Sequence, residues 1–107
     1  MKNLWTVHKF GGSSLASHEK ISNIANIVKA EHAGKSAVVV SAMGGMTDRL
    51  IELTKLATVG DVKAYTKLEE IFEDFASTCK ELLESQRAQT LISIFEKDTA
   101  ELKNILQ

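Results

Sequence analysis

Lys9-Phe10-Gly11-Gly12-Ser13-Ser14-Leu15 sets one cation and two glycines at the end of an apolar run. Residues without a Cβ allow close approach of the backbone to a ligand, and successive amides at such a turn can cradle an anion. Lysine adds a point charge. Together these groups suit phosphoryl oxygens. The spacing is neither the dinucleotide fingerprint G-x-G-x-x-G nor the Walker loop G-x-x-x-x-G-K-[ST], so neither of those chemistries can be borrowed. Ser13 and Ser14 offer hydroxyls, either to a ligand or as caps of the helix that follows.

About thirty residues on, the construction repeats. Ser36-Ala37-Val38-Val39-Val40-Ser41-Ala42 runs into Met43-Gly44-Gly45-Met46-Thr47-Asp48. The near-continuous apolar stretch predicts a strand buried on both faces of a parallel sheet. Thr47 and Asp48 are residue types that open or cap a helix.

The elements that must hold these turns are legible around them. Residues 4 to 10 alternate and contain Trp, Val and Phe, which predicts a strand. Ile21, Ile24, Ile27 and Val28 lie on one helical stripe, with Gly34 at the expected helix end and His32 beside it, where an imidazolium is favoured. Strand, glycine turn and helix thus occur twice. In a right-handed crossover both turns emerge at the carboxyl edge of a parallel sheet, where open α/β sheets bind ligands.

These residues resemble the N-terminus of aspartate kinases, members of the amino-acid kinase superfamily. The resemblance is carried by Lys9-Phe10-Gly11-Gly12-Ser13-Ser14 together with Val38 to Asp48 and covers residues 7 to 48. Kinases acting on glutamate, acetylglutamate or carbamate open with a similar lysine and glycine loop, but this combination is more particular to the aspartate branch. Val7-His8 is similar to bifunctional members fused to homoserine dehydrogenase. The fold implied is α/β, the N-terminal part of a three-layer αβα amino-acid kinase domain, with parallel strands near 4–10 and 36–42.

The activity implied is transfer of the γ-phosphoryl of ATP, with Mg2+ carried by the nucleotide, to the side-chain carboxylate of L-aspartate. The product is 4-phospho-L-aspartate, a precursor of lysine, threonine, methionine and isoleucine. By position, Lys9 would be catalytic and contact ATP phosphates. Gly11, Gly12, Ser13, Gly44 and Gly45 would hold the transferring group, and Ser41 and Thr47 would contact aspartate or the phosphoryl. A loose transition state spreads charge over phosphoryl oxygens, so fixed donors and a cation can do most of the work. Asp48 stands where many members have asparagine and is read as a cap directed away from the site. The family's catalytic domain is much longer, with a Gly-Glu segment, an arginine for the substrate α-carboxylate and an adenine-binding region that do not occur before Gln107. The chain is therefore expected to be an N-terminal fragment, inactive alone, without a regulatory ACT region.

Composition is compatible with a cytoplasmic protein. The 107 residues are 44% hydrophobic, enough for a modest core. Cys79 is a lone cysteine, in keeping with a reducing compartment. No apolar leader or membrane-length stretch is present, and a formal net charge of −1 argues against a nucleic-acid binder. Residues 1–60 hold seven Lys/Arg against four Asp/Glu, and residues 61–107 hold six against ten, so the glycine-turn half is mildly basic. His8, His18 and His32 lack metal-ligand spacing, and Asp48 with Glu52 reads as a cap and a solvated neighbour; no metal site is expected.

Residues 1–60 form the βαβα part and 61–107 a helical hairpin in this reading. Tyr65, Leu68, Phe72, Phe75, Cys79 and Leu82 make one apolar stripe; Leu91, Phe95, Asp98, Leu102 and Ile105 make the second, with one polar interruption at Asp98. Gly60 is placed at the end of the preceding helix and Ser85 to Ala88 at the turn between the long helices; with no proline and no later glycine, one continuous helix is the alternative. Two unsatisfied strands predict a homo-oligomer. The competing function is a non-catalytic helical interaction module in which the glycine turns serve only as structure.

Overall fold

The computed structural model describes residues 5–31 and 35–107, so Leu4, His32 and Gly34 of the expectations above lie outside the described residues. The chain is α/β: β1 (Trp5–Phe10), a 3-10 turn (Gly12–Leu15), α1 (His18–Ala30), β2 (Lys35–Val40), α2 (Met46–Thr58), α3 (Lys63–Leu82) and α4 (Ser85–Leu106). It divides into two compact units, one through Met46 and the other Thr47–Gln107.

In the first unit β1 and β2 pair in parallel, Trp5 opposite Lys35 through to Phe10 opposite Val40. Ser41 N–H donates to the Phe10 carbonyl at 3.1 Å and carries the ladder one bond further. Registered partners share a face of a parallel sheet, and Lys35 Nζ accordingly lies 5.5 Å from the Trp5 ring centre. His8 stacks on Phe10 from the other face, with ring centres 6.2 Å apart. Among the described residues of this unit, Ile24 of α1 and Leu15 of the 3-10 turn are the buried apolar ones.

Two expectations are corrected here. Val38, Val39 and Val40 are 44%, 51% and 56% exposed, so β2 is not buried on both faces within this chain; a two-stranded sheet gives its valines too little to pack against. Nor do Ser13 and Ser14 cap α1. They lie in the 3-10 turn, and Ser17 takes the cap, in extended conformation with its Oγ accepting from Lys20 N–H at 3.3 Å.

The second unit is helical. α2 ends in a Schellman turn, Gly60 at φ +71° with its N–H on the Ala57 carbonyl and Asp61 N–H on Leu56, which bears out the placement of Gly60. Leu53 packs with Ala64 and Leu68, and Leu102 and Leu106 close on the same cluster. At the other end of the hairpin Cys79, Ala88 and Ile92 pack with Phe72, Phe75 and Leu83. The start of α3 thus meets the end of α4, as an antiparallel hairpin requires. Phe95 stacks on Phe75 at 4.0 Å between ring centres. Arg49–Asp74 at 2.9 Å and Glu52–Lys67 at 3.4 Å tie α2 to α3 at the surface, pairs worth roughly 0–1 kcal/mol each.

There are two long helices, but the break differs from the expectation. It falls at Leu83–Glu84, and Ser85 already opens α4. Glu84 is extended and its carboxylate accepts from Arg87 N–H at 2.8 Å and Gln86 N–H at 3.3 Å, so a cap does what a glycine or proline usually does. The second stripe is also rotated. Ala88 and Ile92 are buried and Phe95, Thr99, Leu102 and Leu106 half-buried, whereas Leu91, Asp98 and Ile105 are exposed.

Candidate active site: two glycine turns in contact

Both glycine turns follow parallel strands that end side by side, and their backbones touch. A Cβ on Gly12 would lie 3.5 Å from the Ala42 carbonyl oxygen and 3.8 Å from Gly44 Cα. One on Gly44 would come to 2.9 Å from both the Gly12 carbonyl oxygen and Ala16 Cβ, closer than real side chains pack. Gly44 is therefore glycine because the Gly12 backbone and Ala16 together occupy the space. Gly45 is glycine because its φ is +81°, a left-handed conformation costly for other residues. Met46 N–H donates to the Met43 carbonyl at 3.0 Å and closes this turn onto α2.

Lys9 is exposed, the penultimate residue of β1, with Phe10 between it and the first turn. Gly11 is exposed and extended, at φ −81° and ψ 178°. Ser13 is exposed in the 3-10 turn, and its carbonyl accepts from Lys20 Nζ at 3.2 Å. Ser41 sits at the end of the ladder. The structure therefore brings together Gly11, Gly12, Ser13, Ser41, Gly44 and Gly45, with Lys9 at their edge. Thr47 is the second residue of α2 and the first of the second unit, and Asp48 lies in the first turn of that helix.

Three residues around the first turn carry no expectation from the sequence: Ala16, which lies against Gly44, Ser17, which caps α1, and Lys20, whose Nζ donates to the Ser13 carbonyl. Ser17 was detectable, because Ser-x-Glu-Lys before an apolar stripe has the character of a helix start. Glu19 in that first turn has its carboxyl held below its ordinary value by backbone and Ser17 hydrogen bonds. Ala16 carries no signal in its residue type. Only the approach of Gly44 reveals it.

The two turns present backbone together with the exposed Lys9, Ser13 and Ser41. Among the described residues no group of three or more His, Cys, Asp or Glu stands together as a metal site, and Glu52 is engaged by Lys67. Nor is any described helix long and apolar enough to cross a membrane. Cys79 is buried, and burial raises its thiol above the ordinary value.

The parallel strand pair carries a lysine and two mutually packed glycine turns at its carboxyl edge, and the amino acid kinase family model matches residues 5–104. The chain belongs to the amino acid kinase family. It is 34% identical over 105 residues to the chloroplastic bifunctional aspartokinase/homoserine dehydrogenase 1 of Zea mays, a match covering 98% of this chain and 11% of that protein. The aspartokinase of Corynebacterium glutamicum is 57% identical over 49 residues, 44% of this chain and 12% of that protein. Aspartokinase 2 of Bacillus subtilis is 51% identical over 51 residues, 46% of this chain and 12% of that protein. The chain spans about a tenth of the length of the bifunctional relatives it matches.

Proposed function

We propose that this segment is the phosphoryl-binding part of an aspartate kinase, which transfers the γ-phosphoryl of ATP to the side-chain carboxylate of L-aspartate. The observation that carries this reading is the contact between the two glycine turns, Gly44 seated against the Gly12 carbonyl. A turn whose steric demands came only from its own geometry would not need a second glycine turn beside it. Family membership and the aspartokinase names of the relatives support the reaction class.

In this reading Lys9 compensates charge on the phosphates as bonding to the leaving oxygen weakens. Backbone amides around Gly11, Gly12, Gly44 and Gly45 hold the transferring group, with Ser13 beside them. Ser41 and Thr47 contact aspartate or the phosphoryl. The aspartate carboxylate attacks phosphorus, so the protein need supply no nucleophile; orientation and fixed dipoles supply the acceleration. Amide and ammonium donors suit phosphoryl oxygens and not a hard cation, so Mg2+ arrives with the nucleotide. The activity proposed is that of the complete kinase, because most of the relatives' length lies outside these 107 residues. A cytoplasmic setting fits the buried lone thiol, and the two open strands fit assembly into a homo-oligomer.

The test is Lys9→Ala in the complete enzyme, with aspartyl phosphate trapped as the hydroxamate. We expect kcat to fall on the order of 10²-fold with thermal stability held, since the lost interaction strengthens in the transition state. Near-normal kcat would return Lys9 to an ordinary surface lysine and remove the phosphoryl reading.

A further inference from the structure

The geometry points to Ala16 as a positioning residue, the side chain that sets how far the second glycine turn seats on the first; this rests on the reading of the two turns as a phosphoryl cradle. The space a Gly44 side chain would need is closed from two directions, by the Gly12 carbonyl oxygen and by Ala16, whose Cβ and Cα would lie 2.9 and 3.3 Å from it. The carbonyl is backbone and common to every residue type. The methyl is a choice made at position 16.

That choice is not explained by core packing, because Ala16 is exposed. It is not explained by backbone conformation either: Ala16 ends the 3-10 turn at φ −76° and ψ −16°, right-handed helical values open to any L residue. What remains is size. A methyl group gives Gly44 a wall to rest on, while a branched side chain at 16 would push the second turn off the first and spread the amides that both turns contribute. Ala16 touches no reacting atom in this account. It acts through Gly44.

A double-mutant cycle in the complete kinase isolates this coupling. Gly44→Ala is expected to lower kcat by at least 100-fold, and Ala16→Gly in that background to restore at least tenfold, short of the native rate because the Gly12 carbonyl still obstructs the new Cβ. Absence of any recovery would overturn the inference. Should Gly44→Ala fail to fold, Ala16→Val and Ala16→Ser decide. Valine is stiff at χ1 and presents two methyls, whereas the serine hydroxyl can turn to solvent. Valine should lower kcat/KM for MgATP at least tenfold more than serine, through a raised KM for MgATP, a change that mere loss of folded enzyme would not produce. Equal values for the two would overturn the proposal. Lys9→Ala assayed alongside separates the layers: if it is crippled while position 16 is silent, only the role of Ala16 fails, and if it is near normal the phosphoryl reading itself fails.

Discussion

At the scale of single residues the glycines divide by what each needs, and the division yields a test for ligand contact. Gly44 is required by the Gly12 backbone and Ala16 beside it and Gly45 by its positive φ, so replacing either mixes structural and functional loss. Gly11 differs: its dihedrals suit any residue, and nothing lies within 4 Å of the position its Cβ would take. Gly11→Ala should therefore leave unfolding free energy within about 0.5 kcal/mol of native, the ordinary range for a surface change. If phosphate oxygens approach this turn, the same substitution should lower kcat/KM for MgATP at least tenfold in the complete kinase. Unchanged kinetics would mean that the first turn is not approached at Gly11. The two glycine turns could be placed at strand ends from type and spacing alone, because paired glycines after an apolar run mark where a strand stops. Ala16 could not be singled out in this way, since an alanine reports nothing until its neighbour is known.

Among the elements, the α3–α4 break rests on one side chain. Glu84 accepts two of the first amides of α4, and its loss leaves them to water. Glu84→Ala should cost about 1 kcal/mol, the usual value of a cap, seen as a lower denaturation midpoint with the slope unchanged. An unaltered midpoint would mean that packing alone sets the corner. The sequence hid this break because glutamate is not among the favoured capping types and no glycine or proline marks the place. It hid the inner face of α4 for a related reason: Ala88 and Thr99 hold inward positions while the larger Leu91, Ile94 and Ile105 stand exposed, so bulk pointed to the wrong stripe. The strands and Gly60 were legible because alternation, apolar run length and the turn chemistry of glycine all agreed. Cys79 gives the hairpin its own reporter. Burial raises the thiol pKa, so the folded state binds the proton more tightly than the unfolded chain; this contribution is present below the ordinary value of 9.0 and lost as pH rises through the higher folded value. Stability should fall above about pH 9 and Cys79→Ser should flatten that fall, while thiol reagents should modify native protein at a rate limited by opening of the hairpin.

For the molecule as a whole, the balance of covered and uncovered apolar surface differs between the two units, and this bears on assembly. The helical unit has seven buried residues shared among three helices, Leu53, Ala64, Leu68, Ile71, Cys79, Ala88 and Ile92. Among its described residues the strand unit has Leu15 and Ile24, while Trp5 and Val7 of β1 and Val38, Val39 and Val40 of β2 stand exposed. A two-stranded sheet is marginal in water, and each strand here has one edge without a partner within the sheet. The 107-residue chain by itself should therefore associate through the strand unit, with the helical unit folded. Sedimentation equilibrium across a wide concentration range should show self-association, and Val39→Lys, which places a charge on the exposed sheet face, should weaken it without lowering helix content by circular dichroism. A monomer at every concentration would mean that two strands and one helix suffice for this half. Loss of helix content in Val39→Lys would mean instead that the hairpin depends on the strands.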